Sequence, residues 1–134
     1  MTEDQILNQF GENNGLIFSL LQWWLGVSVG LVAATHFFSK KLNLYLVIFL
    51  AMLYTCFSIY THLYVALTFF ANVGLVNALN SMRGELSEAG LAFLAWPMSL
   101  QIVMGCAFAL CVIGGFLGTL AYFVVSYRSN RGLE

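Results

Sequence analysis

The chain has 134 residues, of which 60% are hydrophobic and only 8% charged, and its formal net charge is −1. A soluble domain carries about a quarter charged residues, so these few charges exclude a fully hydrated surface and leave lipid as the main solvent. The near-neutral balance also removes the electrostatic case for nucleic acid as a partner.

No Gly-rich linker, low-complexity tract or clear repeat divides the chain, so residues 1–134 read as one membrane domain. The expected fold is an all-α integral membrane protein. It has three transmembrane helices and an extended helical hairpin on the extracytoplasmic side. Cys56, Cys106 and Cys111 all fall in apolar segments. An odd set of buried thiols argues against a disulfide framework and suits small packing residues. The acidic start, with Glu3, Asp4 and Glu12, lacks the basic region of a secretory signal.

Residues 1–15 form a polar N-terminal segment. Thr2, followed by Glu3, Asp4 and Gln5, suits the start of a short helix. Ile6, Leu7 and Phe10 give that helix an apolar face for the membrane surface, and Gly11 to Gly15 is expected to break it. The first span covers 16–38, long enough for one crossing. Trp23 and Trp24 lie in its first third, where interfacial aromatics are common. Gly26, Gly30 and Ala34 recur every fourth residue, a stripe that lets another helix backbone come close. Ser39, Lys40 and Lys41 end the span.

Leu42 to Met82 contains no Asp, Glu, Lys or Arg. One continuous helix over that stretch would reach roughly 60 Å, about twice a bilayer's hydrocarbon thickness. The second span is therefore placed at 42–70, its helix continuing as far as 82, with the outer boundary of the slab near Thr61 or His62. Beyond it, Leu75, Ala78, Leu79 and Met82 share one helix face while Asn77, Asn80 and Ser81 face away. Gly84 allows a turn. Ser87 and Glu88 open a short helix over 87–96, and Pro97 opens a third span over 98–127 or kinks a longer helix. Gly114 and Gly118, with Gly115 beside them, make a second close-packing stripe. Residues 128–134 are a basic tail. Lys40–Lys41 and Arg128/Arg131 mark the cytoplasmic side, so the N-terminus is placed outside and the C-terminus inside the cytoplasmic membrane. Two apolar arms then project outward, joined at Gly84, and need protein cover from other copies or another subunit. The alternatives are strong tilt, residues 67–82 lying flat in the interface, or five short crossings.

The most polar intramembrane patch is Tyr54, Thr55, Ser58, Thr61 and His62. It reads either as interhelical hydrogen bonding or as a polar site or pore lining. His36 and His62 are candidate haem ligands, but they fall at opposite ends of their spans, about 30 Å apart by rise per residue, and cannot share one haem within a protomer. Nothing in the spacing supports a metal site or a Ser/His/acid triad. No cofactor and no catalytic residue are expected. The function expected is that of a small non-enzymatic multi-span protein. It would act as a homo-oligomer, or as a subunit of a larger membrane complex, through its glycine-lined helix faces. A pore-forming oligomer is the alternative. In topology alone it is similar to some phage holins, although no motif carries the likeness and the charged C-terminal tail common among holins is lacking. A haem- or quinone-binding anchor is a remote third reading.

Overall fold

The computed structural model describes residues 1–38, 43–95 and 98–129. The first helix, α1 (Glu3–Phe38), begins as the sequence suggests. The Thr2 amide donates to Gln5 Oε1 at 3.0 Å and the Gln5 amide donates back to Thr2 Oγ1 at 3.4 Å. This reciprocal pair satisfies two of the amides that a helix start leaves without partners. The second helix, α2 (Leu44–Ser81), is capped by Asn43, whose side chain accepts from the Leu46 amide at 2.7 Å. A 3-10 turn at Arg83–Glu85 leads to the short α3 (Glu88–Leu94), capped by Ser87, and then to α4 (Met98–Ser129). Ser39, Lys40, Lys41, Trp96, Pro97 and the tail from residue 130 onward, including Arg131, lie outside the described residues.

α1, α2 and α4 are long and apolar enough to cross a membrane. At 36, 38 and 32 residues they reach about 54, 57 and 48 Å at 1.5 Å per residue. α2 and α4 are each one unbroken helix, not pairs of short ones. α1 packs along both α2 and α4, whereas α2 and α4 meet only sparsely. The described buried core is small. Val47 of α2 and Phe123 of α4 form its centre, with Leu31, Leu50, Ala51 and Tyr127 packed around them.

One expectation needs correction. Gly11 to Gly15 does not break α1, which runs unbroken from Glu3 to Phe38. A helix-interior glycine costs about 1 kcal/mol relative to alanine, and tertiary contacts offset that cost. Ile6 is buried, Phe10 meets Phe93 edge-on at 4.7 Å, and Asn13 and Asn14 bond to Asn72. The same contacts lay the N-terminal part of α1 against α2 and α3, so the chain covers part of that surface itself, while Leu67, Phe69 and Phe70 of α2 stay exposed. The amphipathic reading of the α2 end holds: Leu79 is buried and Leu75, Ala78 and Met82 half-buried, while Asn77, Asn80 and Ser81 are exposed.

Glu3 latches the start of α1 to the start of α3. Its carboxylate accepts the Ser87 amide at 2.9 Å and the Ser87 hydroxyl at 2.5 Å. A methyl group on Gly90 would run into the same carboxylate. The Ser87 hydroxyl and then the Ser87 amide hold the Glu3 carboxyl below its ordinary pKa of 4.5, because both bonds favour the charged form. A carboxylate whose folded pKa is depressed stabilises the fold above its unfolded pKa and loses that contribution as pH falls through the folded value. Protection of the Ser87 and Gly90 amides, measured as exchange relative to the unfolded rate at the same pH, is therefore expected at neutral pH and is expected to fall as pH drops below 4.5. Glu3→Gln should lower that protection at neutral pH and flatten its pH dependence.

Candidate functional site

The contact face of α2 is set by a regular spacing. Tyr54, Ser58, Thr61, Val65, Thr68 and Asn72 follow one another at alternating steps of four and three residues, and all are buried. That is the heptad spacing by which two helices stay in register over many turns. α1 answers with Trp24, Ser28 and Thr35, also buried. Because the two helices run antiparallel, ascending residues of one meet descending residues of the other.

Four side-chain bonds cross this seam. Asn13 Nδ2 donates to Asn72 Oδ1 at 2.8 Å, and Asn72 Nδ2 donates to Asn14 Oδ1 at 3.1 Å. Trp24 Nε1 donates to Ser58 Oγ at 3.0 Å. Ser28 Oγ donates to the Trp24 carbonyl at 2.9 Å, which leaves the Tyr54 hydroxyl to donate to Ser28 Oγ, also at 2.9 Å. The threonines behave differently. Thr35, Thr55, Thr61 and Thr68 each donate to a carbonyl one turn back on their own helix, at 2.7–2.9 Å. They are polar residues whose hydrogen bonds are already made, and they pack as small side chains.

Trp24 is the junction of all three long helices. Its indole N–H engages Ser58 of α2, its ring meets the His62 ring edge-on at 5.1 Å, and its far edge lies over Gly115 of α4. A Cβ at Gly115 would stand 2.8 Å from Trp24 Cη2, closer than van der Waals contact allows. Gly115 thus admits the indole between α1 and α4. Gly26, Gly30, Gly114 and Gly118 have nothing within 4 Å of a Cβ position, and Ala34 is exposed. Of the six positions expected to pack helices, Gly115 does so within the chain and the other five lie on its outside.

The residues expected to form a polar site are brought together, but against α1. Tyr54, Ser58 and Thr61 are buried, and Thr55 and His62 are half-buried beside them. In this arrangement Tyr54 and Ser58 tie helices together rather than line an open passage. His62 Nε2 is buried and has no hydrogen-bond partner among the described residues. His36 Nδ1 lies 3.3 Å from the Tyr122 hydroxyl of α4. Trp24 stands level with His62, so by residue rise His36 and His62 are about 18 Å apart along the bundle. That is nearer than the sequence suggested, yet one haem still cannot take both as axial ligands. No group of three His, Cys, Asp or Glu side chains suited to a metal occurs among the described residues.

Sequence reasoning missed Asn13, Asn14 and Ser28, and read Trp24 as interfacial. The heptad spacing from Tyr54 to Asn72 was the available signal. It marks Asn72 and Ser58 as facing a partner helix, and the partner then needs hydrogen-bonding groups at matching heights. A groove of about 440 Å³ lies beside the seam, between α1 and α4, lined by Leu25, Val29, Val32, Phe108 and Val112 along with Trp24 and Ser28. Its lining contains no charged residue.

Ser58→Ala leaves the Trp24 indole in place and removes its bond. It is expected to cost about 1 kcal/mol, the scale of interhelical bonds in lipid, in unfolding from mild detergent into SDS followed by circular dichroism. Gly115→Leu should cost more, about 2–3 kcal/mol, because Trp24 must leave its place. The same change at Gly118 should cost little. Comparison with known proteins gives no match: no family model, no curated protein and no solved structure matches this chain.

Proposed function

We propose that the chain is a small non-enzymatic membrane protein that works as a homo-oligomer or as a subunit of a larger membrane complex. Three helices of spanning length and composition support the membrane part. So does their outer surface: Trp23, Phe37 and Leu110 are each more than 70% exposed, a cost in water and none in lipid. In sequence, Lys40 and Lys41 follow α1 and Arg128 and Arg131 follow one another at the end of α4 and beyond it, against the single Arg83 between α2 and α3. This supports a cytoplasmic-membrane placement with the N-terminus outside and the C-terminus inside.

The observation that carries the association reading is the unused small-residue faces. Gly26, Gly30 and Ala34 on α1, and Gly114 and Gly118 on α4, point away from the other described helices. Lipid tails are as apolar as leucine, so helices associate in a bilayer through close backbone approach, and glycine permits it. In the pore reading, these same faces rather than the Tyr54–His62 patch would meet the lumen, and no observation favours that. Native mass spectrometry from mild detergent tests the proposal. The wild-type chain is expected as a discrete complex, and Gly30→Leu or Gly114→Leu should release single chains, because each sets a bulky side chain on one of these faces. A wild-type chain that is monomeric and copurifies with nothing would overturn it.

A further inference from the structure

A second groove lies between α2 and the last turns of α4, with a volume of about 550 Å³. That is within the range of small-molecule sites. Leu44, Ile48 and Ala51 form one wall, Val124 and Tyr127 the other, and Arg128 stands at the mouth. The groove borders the Val47–Phe123 core, so its walls are held by packed side chains. It is apolar along its length and cationic at one end. The described carboxylates are all at the opposite end of the bundle, so none neutralises Arg128. The groove between α1 and α4 is the built-in contrast, having similar size and apolar lining but no charge.

We propose that the α2–α4 groove is a binding site for an anionic phospholipid. An acyl chain lies along Leu44, Ile48, Ala51 and Val124, and the headgroup phosphate meets Arg128. The inference rests on the spanning orientation proposed above, which puts Arg128 at the cytoplasmic lipid–water boundary. A guanidinium offers paired donors to a phosphate, and basic pockets between helices on this side of a membrane suit anionic headgroups. Charge complementarity selects the headgroup, while the length of apolar wall selects a lipid over a free phosphate.

The test is native mass spectrometry of lipids retained by the chain after reconstitution in nanodiscs with equal phosphatidylglycerol and phosphatidylcholine. The wild-type chain should retain phosphatidylglycerol in preference. Arg128→Gln should lower that preference about fivefold, the contribution of one basic residue near an anionic surface. Ala51→Phe, which fills the groove, should reduce retention of both lipids. Excess inorganic phosphate should displace neither. No preference in the wild type, an unchanged preference in Arg128→Gln, or a preference lost only in a Lys40→Gln/Lys41→Gln variant would overturn the site. Displacement by phosphate, or full retention in Ala51→Phe, would overturn the acyl-chain part. A chain that does not enter nanodiscs at all overturns the spanning reading, and the lipid site with it. Entry without headgroup preference overturns the site alone.

Discussion

The bundle depends on one tryptophan. Trp24 is the side chain through which α1 holds both of its neighbours. Its N–H bonds to Ser58, and its ring edge occupies space that only a glycine at position 115 leaves open. In water, burying that indole would be driven by the release of apolar surface. Among apolar helices in lipid that drive is nearly absent, and shape and hydrogen bonding must supply the specificity. A rigid ring fitted over a missing side chain, and tethered by its one polar atom, provides both.

The polar seam follows from the same constraint. Where solvent offers no hydrogen bonds, each unpaired donor or acceptor is costly, so polar residues arise where their partners are already determined. Threonines return their hydroxyls to their own helix, while asparagine, serine, tyrosine and tryptophan reach across to the neighbour. The reaching residues set the register of α1 on α2, because a slip of one turn would leave Asn72, Ser58 and Tyr54 without partners together. α4 has no such ladder. It is joined through Gly115, through the Tyr54–Phe116 stack at 5.7 Å and through the His36–Tyr122 contact, and grooves lie along both of its sides. The tightly specified part of the molecule is thus the α1–α2 pair, and the adaptable part is α4 with the exposed apolar surfaces.

The features legible in the sequence were those with local causes. Thr2 with Gln5, and Ser87 with Glu88, are helix starts because of what stands within four residues of them. The absence of charge between residues 42 and 82 is enough to expect α2, and the phase of Leu75, Ala78, Leu79 and Met82 is enough to orient its end. What escaped depended on distant partners. Gly11 and Gly15 look like a break until Asn13 and Asn14 find Asn72, more than fifty positions away. Gly114, Gly115 and Gly118 look alike in one dimension. One step along a helix turns a side chain through about 100°, and only the position of Trp24 shows which of the three faces inward. The polar patch was visible as a cluster, but its attachment to α1 was not, since Ser28 is unremarkable in its own neighbourhood.

The ties between α1 and the rest also differ in how much chain they enclose. Ser28 meets Tyr54 across 26 positions, Trp24 meets Ser58 across 34, Asn13 meets Asn72 across 59, and Glu3 meets Ser87 across 84. Enclosing a longer loop costs more entropy, so the pairs can close in sequence like a zip, from the pair nearest in sequence toward Glu3. Opening would run the other way. The acidic end of α1 would let go first, baring Phe93 while the tryptophan junction stayed shut.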